Sequence, residues 1–324
     1  MKQRLLKILE NFKNKKILVV GDIMLDKYIW GDVSRISPEA PVQVVHVQKE
    51  TYAPGGASNV ASNASALNGK VYMVGIAGND DAKNILLQEL NNRSINTDGV
   101  FVDAEKPTTQ KVRIVGRSQQ LLRVDYEKEE HVHKNIESAM IAFLEKRIKD
   151  IDVVVISDYA KGVITPEISQ RLIQISRDNN KIIIVDPKPK HLNLYSNVTL
   201  ITPNNAEAGE MTNIEGGSDE AVFEMGSKLL KYLNANVLIT RGEKGMSLFE
   251  KGRSVTNIPA KAKEVYSLIG AGDTVVATIA LALASGASIE EAATIANIAA
   301  GIKVGKIGTA SVSIEEIGRE IENL

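Results

Sequence analysis

The sequence predicts an α/β fold in which helices flank a doubly wound, mostly parallel sheet. From residue 134 onward, short apolar runs alternate with helix-forming segments, and strands joined in this way pair in parallel through right-handed crossovers. The runs at 153–157 and 182–186 consist almost entirely of Val and Ile, which is typical of strands covered by helices on both faces. No internal repeat or low-complexity linker divides the 324 residues, so we expect one domain over residues 1–324.

The first part of the chain begins with a predicted amphipathic helix over residues 1–16, in which Leu5, Ile8, Leu9 and Phe12 recur at helical spacing. β-branched runs, small-residue stretches and turn signals then predict further elements. Strands are predicted at 17–20, 42–47 and 71–76, and helices at 57–67 and 80–91. In the second half, strands are predicted at 153–157, 182–186, 198–202 and 237–240, and helices at 134–149, 166–178, 205–211, 218–233 and 275–285.

Two further runs, at 108–115 and 121–126, alternate polar and apolar residues, which predicts a hairpin with one face in solvent. We expect segments near 30–50 and 107–126 to form a small β lid that projects from the domain. The edges of a small exposed sheet need a cover. This predicts a homodimer in which the lids of two subunits pair.

Composition excludes several kinds of function. The net charge is −1 and aromatic residues make up 4% of the chain, which argues against a nucleic-acid or membrane surface. Without cysteine there are no disulfides, thiolate chemistry or Cys-based metal sites, and His131 and His133 are interpreted as surface residues. No apolar run is long enough for a bilayer, and charged residues interrupt the N-terminal segment, unlike a signal peptide. We therefore expect a cytoplasmic protein.

Residues 270–274, Gly-Ala-Gly-Asp-Thr, open the last apolar helix. Such a turn leaves backbone N–H groups unshielded, and the helix dipole favours an anion there. Asp273 places a carboxylate inside this anion site. Phosphoryl transfer requires donors for the transferred group and a base facing the attacking hydroxyl. From these residues alone, Asp273 is either that base or a simple helix cap.

Polar residues follow several of the predicted strands, and the carboxyl ends of parallel strands form the ligand-binding edge of such folds. The residues at these strand ends are Asp22, Asp158, Asp186, Asn204 and Arg241. We expect the fold to bring them together.

Three motifs in order resemble the signatures of the ribokinase-like, or PfkB, carbohydrate kinases. They are GGASNVA at 55–61, Asn204-x-x-Glu207 and GAGDT at 270–274. The similarity runs over nearly the whole chain and implies a ribokinase-like fold. Gly55-Gly56 alone would be read as a plain turn into a helix.

A narrower resemblance is to the D-glycero-β-D-manno-heptose 7-phosphate kinases, which make an ADP-heptose precursor for bacterial surface polysaccharide. It is carried by GDIMLDKY at 21–28, SRISPEAPV at 34–42, QQLLR at 119–123, SDYAKG at 157–162 and VGKIGT at 304–309. In many bacteria this kinase is fused to a nucleotidyltransferase. The resemblance implies a stand-alone kinase or a kinase domain.

The resemblance also implies roles for single residues. Asp273 is the base, the N–H groups of Ala271, Gly272 and Asp273 hold the transferred phosphoryl group, and Gly270 completes the turn. A helix start is expected to lower the pKa of Asp273 and keep it ionised. Asn204 and Glu207 share one helix face, where they would order Mg²⁺ and its waters beside ATP. Their alternative is an ordinary capping box.

Nucleotide contacts are implied for Thr240, Arg241, Gly242, Asn297 and Gly301. For Asn297 the alternative is a buried polar residue bonded to backbone. On the sugar side, Asp22 and Asp26 would accept hydrogen bonds from hydroxyls, with Gly55, Gly56 and Asn59 closing around the ring. A phosphorylated substrate also needs cations. The remaining substrate-site candidates are Arg35, Arg113, Arg117, Arg123, Asp158, Lys161, Lys188 and Lys190. Each lid arginine is alternatively an ordinary solvated strand residue.

One segment departs from the family pattern. Relatives have an Asp and, two residues later, a Thr before Gly-Ala-Gly-Asp, whereas this chain has Ser267 and Ile269. In many relatives this segment helps to form a monovalent-cation site. The loss of a carboxylate and a hydroxyl weakens the case for K⁺ activation, and no potassium site is assigned.

The sequence thus predicts an ATP- and Mg²⁺-dependent kinase that phosphorylates the anomeric hydroxyl of D-glycero-β-D-manno-heptose 7-phosphate to the 1,7-bisphosphate. One alternative is a ribokinase-like kinase for another sugar, sugar phosphate or nucleoside, against which the 34–42 segment and the cationic lid argue. The other is a nucleotide- or sugar-phosphate-binding protein without catalysis, supported only by Ser267 and Ile269.

Overall fold

The computed structural model describes residues 1–116, 119–261, 266–306 and 310–324. Its strands are β1 (Lys16–Gly21), β2 (Ile23–Ile36), β3 (Gln43–Gly56), β4 (Lys70–Ala77), β5 (Asn96–Val102), β6 (Gln110–Gly116), β7 (Gln119–Tyr126), β8 (Val153–Ser157), β9 (Ile182–Asp186), β10 (Leu200–Ile201), β11 (Asn236–Thr240), β12 (Met246–Phe249) and β13 (Thr256–Ile258). Its α-helices are α1 (Lys2–Glu10), α2 (Ala57–Ala66), α3 (Asp81–Asn91), α4 (Lys134–Arg147), α5 (Pro166–Asp178), α6 (Asn205–Thr212), α7 (Asp219–Leu233), α8 (Ala271–Ala284), α9 (Ile289–Val304) and α10 (Ile314–Glu322).

The larger sheet has the strand order β13-β12-β11-β10-β9-β8-β1-β4-β5. All pairs from β11 to β5 are parallel, whereas β12 and β13 extend the sheet in antiparallel fashion. The winding changes direction at β1, so a crevice opens at the carboxyl ends of β1 and its neighbours. The predicted doubly wound, mostly parallel α/β sheet is confirmed.

Helices cover both faces of this sheet. Successive residues of β1 alternate between the two cores, since Ile17 and Val19 join one apolar cluster and Leu18 and Val20 join the other. Helices α1, α2, α3, α8, α9 and α10 pack on the first face, and α4, α5 and α7 pack on the second. Within the described ranges, no helix combines the length and apolar character needed to cross a membrane.

A second, four-stranded sheet has the order β3-β2-β6-β7. Long strands β2 and β3 form an antiparallel hairpin, β6 joins β2 in parallel, and β7 folds back on β6. These strands include the segments near 30–50 and 107–126 from which the lid was predicted. The single-domain organisation over residues 1–324 stays a prediction.

Several predicted bounds were wrong. The strand at 198–202 contains only Leu200–Ile201, because a left-handed turn at Asn197 precedes it and Pro203 follows it. Helix α1 ends at Glu10 rather than at residue 16, and α8 begins at Ala271 rather than at 275. Strands β2, β5, β12 and β13 were not predicted. Strand β2 shows why, since its outer half is largely exposed and lacks an apolar run.

The junction of β1 with β8 provides a test of this packing. A Cβ atom added at Gly21 would lie 1.9 Å from the carbonyl oxygen of Ser157. We expect Gly21→Ala to push the two strands apart and to lower the free energy of unfolding by about 1–3 kcal/mol, measured by urea denaturation. The control is Gly318→Ala in α10, where the new Cβ meets Leu9 at an ordinary 3.8 Å. Equal stability of Gly21→Ala and the wild type would contradict the close approach.

Candidate active site

The turn before α8 has the geometry of an anion site. Gly270 adopts a left-handed φ of +73°, and the helix begins directly after it. Thr274 fastens the turn, because its N–H and its hydroxyl both donate to the Gly270 carbonyl, at 3.1 and 2.9 Å. Among the described residues, the N–H groups of Gly272 and Asp273 donate to no protein acceptor, whereas that of Ala271 bonds to the preceding loop. Two donors therefore remain for an anion, rather than the expected three.

Asp273 lies at the third position of α8 and is 8% exposed. Its carboxylate accepts hydrogen bonds from Asn59 Nδ2 and, at 2.9 Å, from the hydroxyl of Tyr159. Within the described part of the chain it accepts none from the N–H groups of α8, so the helix-cap interpretation fails. Side chains of α2 and of the loop after β8 hold this carboxylate in place.

Burial raises the pKa of Asp273 above that of an ordinary aspartate, and the hydrogen bonds from Asn59 and Tyr159 offset this only in part. The expectation of a lowered pKa was therefore wrong. Removing water from the carboxylate outweighs the influence of the helix start. A carboxylate with a raised pKa is a better proton acceptor, which suits the role of a general base.

A buried polar network joins α2 to α8 behind the turn. Asn63 accepts a hydrogen bond from the Thr274 hydroxyl at 3.1 Å and donates to the Asn59 carbonyl at 2.8 Å. A Cβ at Gly270 would lie only 2.7 Å from Asn59 Nδ2, so this position requires glycine. Neither Asn63 nor Tyr159 was predicted as a site residue. For Asn63, the one signal in the sequence was its position one helical turn after Asn59.

A cavity of about 210 Å³ lies against the turn, at the carboxyl ends of β9, β10 and β11. The predicted residues that line it are Lys188, Asn204, Glu207, Thr240, Gly270, Gly272 and Asp273. Asp186 and Tyr159 line it as well. The cavity thus joins two of the three family motifs.

Asn204 and Glu207 form the capping box that the alternative interpretation described. The Asn204 side chain accepts from the Glu207 N–H at 2.9 Å, and Glu207 Oε2 accepts from the Asn204 N–H at 3.0 Å. The other oxygen, Glu207 Oε1, pairs with Lys188 Nζ at 2.6 Å. The box therefore fixes Glu207 at the cavity, and a role in ordering Mg²⁺ stays a prediction.

Acidic side chains outnumber basic ones among the residues that line the cavity. Burial, together with the negative charges of Asp273 and Glu207, raises the pKa of Asp186 well above its usual value. Within the described ranges, no group of three or more acidic or histidine side chains is arranged to hold a metal directly. Asp186, Asn204 and Glu207 place oxygen atoms at the cavity, and side-chain oxygens are the kind of ligand that Mg²⁺ contacts directly or through water.

The predicted contact of Asp22 with sugar hydroxyls does not fit the structure. Asp22 is 1% exposed and accepts backbone N–H bonds from Tyr159, Lys161 and Val163, at 2.8, 3.2 and 3.1 Å. Its carboxylate stabilises the loop after β8, because it accepts hydrogen bonds from three backbone N–H groups that are thereby removed from water. Asp22 thereby positions Tyr159, which holds Asp273.

Asp158 is also 1% exposed, which corrects its expected contact with substrate. Its oxygens bond to the Ala160 N–H, the Tyr195 hydroxyl and His191 Nδ1, each at 2.7 Å. Like Asp22, Asp158 stabilises the loop instead of facing a ligand.

Asp26 and Gly55 lie together at the base of the small sheet. Asp26 forms an ion pair with Arg113, and both side chains are 14% exposed. A Cβ at Gly55 would lie 2.6 Å from the Asp26 carboxylate, so the glycine allows this close approach. Gly56, with φ of +55°, ends β3 and starts α2.

The predicted phosphate-binding cations are mostly paired with carboxylates. Lys161 contacts Glu127 at 2.9 Å and Glu129 at 2.8 Å. Arg123 pairs with Asp125, Lys190 lies 3.8 Å from Glu129, and Arg35 is exposed on the outer half of β2. Arg117 and positions 307–309 of the VGKIGT motif lie outside the described residues. Among the candidate cations that the structure describes, Lys188 is the one that lines the cavity.

The remaining nucleotide candidates divide into two groups. Thr240 lines the cavity, whereas the Arg241 side chain donates to Asp219 and Ser247, and Gly242 begins a short 3-10 turn. Asn297 donates to the Pro259 carbonyl at 2.7 Å and is 5% exposed, as its alternative interpretation described. Gly301 borders a separate surface groove beside Tyr266.

A parallel sheet with an anion-binding helix start and a buried carboxylate at its ligand edge defines a phosphotransferase of the ribokinase-like fold. The pfkB family carbohydrate kinase model matches residues 14–317, and the chain belongs to this family. The chain is 42% identical to the Bifunctional protein HldE of Desulfatibacillum aliphaticivorans, over 96% of this chain and 64% of that protein. It is 42% identical to the Bifunctional protein HldE of Helicobacter pylori, over 94% of this chain and 65% of that protein. The chain thus spans less than two thirds of the length of these relatives.

Solved structures of other proteins have the same fold. Arabidopsis thaliana ribokinase complexed with ribose and ATP superposes with a TM-score of 0.76 at 20% identity, over 96% of this chain and 99% of that one. Phosphofructokinase-2 from Escherichia coli in complex with potassium gives a TM-score of 0.76 at 19% identity, with the same coverage. At this level of identity the likeness concerns the fold alone.

The hydroxyl of Tyr159 provides a test of the Asp273 environment. Tyr159→Phe removes a hydrogen bond that favours the ionised carboxylate, so the pKa of Asp273 should rise further. We expect the acidic limb of the kcat–pH profile to move to higher pH, because Asp273 must be ionised to act. The control is Tyr52→Phe, which removes a hydroxyl–carboxylate bond to Glu50 on the small sheet. A limb that moves to lower pH, or not at all, would contradict this role.

Proposed function

We propose that this chain is an ATP-dependent kinase for the anomeric hydroxyl of D-glycero-β-D-manno-heptose 7-phosphate, and makes the 1,7-bisphosphate on the way to ADP-heptose. The observation that carries the proposal is the buried Asp273 carboxylate beside the N–H groups of Gly272 and Asp273, which donate to no acceptor among the described residues. These groups share one cavity with Lys188 and Glu207. The choice of sugar rests on the motifs at 21–28, 34–42 and 157–162 and on the relatives named Bifunctional protein HldE.

In the proposed reaction, Asp273 accepts the proton of the anomeric hydroxyl while the hydroxyl oxygen bonds to the γ-phosphorus of ATP. The bond from that phosphorus to the β–γ bridging oxygen breaks, and ADP leaves. The N–H groups of Gly272 and Asp273 donate to the oxygens of the transferred group, where charge develops. Mg²⁺, when bound, would neutralise charge on the triphosphate, and Asn204 and Glu207 would hold it through water.

The small sheet and the loop after β8 are proposed to hold the sugar 7-phosphate. The partly buried Asp26–Arg113 pair lies beside the GG motif, and such pairs combine a hydroxyl acceptor with a guanidinium donor. The exposed candidates Arg35 and Arg123 act only if a closed lid or a second subunit brings them to the substrate. Lys161 would then exchange a carboxylate partner for phosphate.

A coupled ADP-release assay with Mg-ATP tests the substrate. The panel holds the heptose 7-phosphate, sedoheptulose 7-phosphate, fructose 6-phosphate, ribose and adenosine, each with and without K⁺. We expect turnover to be confined to the heptose phosphate. Faster turnover of another compound would reject the heptose proposal but keep the kinase assignment. ATP binding without turnover of any compound would instead favour the binding protein without catalysis.

The same assay tests the base. Asp273→Asn keeps the shape of the side chain but removes the proton acceptor, so kcat should fall by about 10²- to 10⁴-fold. The matched control is Asp81→Asn, which removes an acidic side chain from the first turn of α3. Near-normal turnover by Asp273→Asn would rule out the proposed chemistry.

We also propose that two copies of the small sheet form a cytoplasmic homodimer. In the described part of the chain, β3 and β7 are the outer strands of this sheet and pair with no further strand. The sheet exposes Trp30, Val47 and Leu122 by 39%, 56% and 54%. Leu122→Glu should therefore convert dimer to monomer in analytical ultracentrifugation. Phe223→Glu on α7, an equally exposed position on the other sheet's helical layer, should not. A wild-type monomer, or an equal effect of both changes, would contradict this interface.

A further inference from the structure

A lysine that belongs to none of the family motifs is buried behind the phosphate-binding turn. Lys303 lies in the last turn of α9 and is 2% exposed. Its ammonium donates to the Ala310 carbonyl at 2.9 Å. A charged lysine is costly to bury unless its surroundings stabilise the charge. The charges and dipoles around the ammonium therefore matter for its charged state.

The Gly270 turn and the Asp273 carboxylate lie near the end of this side chain. A Cβ placed on Gly270 would lie 3.6 Å from Lys303 Cε and 3.8 Å from Asp273 Oδ2. The end of the lysine and the carboxylate thus flank the same glycine. The side chain approaches from α9, behind the turn, whereas Lys188 lies in the cavity and is paired with Glu207.

The electrostatic coupling agrees with this placement. Burial lowers the pKa of Lys303, as does the charge of Lys306, whereas the negative charge of Asp273 raises it. In return, Lys303 opposes the effect of burial on the pKa of Asp273. Lys306 itself is paired with Glu316 at 2.7 Å, so its charge is largely balanced.

The segment before the turn provides little for a bound cation. The Ser267 hydroxyl accepts a hydrogen bond from the Ile269 N–H at 3.3 Å, and the Ile269 side chain is 47% exposed. Carbonyl and carboxylate oxygens are the usual ligands of hard cations, and these two side chains contribute no carboxylate.

We infer that Lys303 is a positioning residue whose fixed ammonium supplies positive charge behind the Gly270 turn and takes the place of a bound monovalent cation. The charge acts on the turn in two ways. It favours the ionised state of Asp273 before reaction, and it adds to the α8 dipole where negative charge develops on the transferred group. The inference rests on the proposed catalytic role of Asp273.

Lys303→Met tests the charge, since methionine keeps an unbranched apolar stem as far as Cε and lacks the ammonium group. We expect kcat to fall by about 10- to 100-fold while KM for the sugar changes less than twofold, because the charge acts on the transition state. Lys303→Arg should retain most activity. In Lys303→Ala, added ethylammonium should restore part of kcat, whereas equal ionic strength from tetramethylammonium should not. The wild type should be indifferent to K⁺.

A control and a second readout separate this inference from the sugar assignment. Lys228→Met removes another lysine that donates to a backbone carbonyl, that of Thr212 at 2.6 Å, and should leave kcat unchanged. Binding of ADP with aluminium fluoride, measured by calorimetry, reports on the anion site without any sugar, and Lys303→Met should weaken it about tenfold or more. Wild-type kcat and wild-type binding in Lys303→Met would overturn the inference. Loss of thermal stability with no rescue by ethylammonium would also overturn it, because Lys303 would then be structural only.

Discussion

The burial of one carboxylate at the start of α8 is the constraint on which the rest of the site depends. Asp273 is held by Asn59 and Tyr159, and each of these needs its own support. The loop that carries Tyr159 is fixed by three backbone hydrogen bonds to Asp22 at the end of β1. A chain of polar contacts therefore runs from the switch point of the sheet to the proposed base. Its acidic members are more than nine-tenths buried, so a break at any point leaves an uncompensated polar group.

Sequence patterns predicted the helices and strands that have strong local signals. They did not predict side-chain roles and pKa shifts that depend on tertiary contacts. Strand β8 was predicted from its Val- and Ile-rich run, and all five of its residues are buried in the structure. A Gly-rich turn before an Ala-rich segment in the same way indicated α8. Asp22 and Asp158 follow strands just as Asp186 does. Only the fold shows that backbone donors and neighbouring side chains occupy the first two, whereas the third faces the cavity. The direction of the pKa shift of Asp273 also depends on the fold. The sequence indicates that Asp273 lies at a helix start, but not that its carboxylate is buried away from water.

Asn204 and Glu207 form a helix-capping box and also line the cavity. The capping box at Asn204 and Glu207 stabilises α6 and at the same time fixes a carboxylate oxygen that pairs with Lys188. The structural and functional interpretations of this motif are therefore compatible. With Asp186 and Asp273 nearby, the cavity has more acidic than basic side chains, and burial and mutual repulsion raise the pKa of Asp186. This excess of acidic groups supports the proposal that the nucleotide binds together with Mg²⁺.

The ammonium of a lysine and a bound monovalent cation can both supply positive charge next to the turn, but they require different surroundings. A bound ion requires several oxygen ligands in fixed geometry, whereas a lysine requires only a covered path for its stem and a carbonyl for its head. Lys303 meets that requirement, since α9 packs against α8 and Ala310 provides the carbonyl. The charge then forms with the fold itself and does not depend on the ion content of the solvent. On this reasoning, the inferred role of Lys303 would supply the positive charge at a turn that Ser267 and Ile269 precede without a carboxylate.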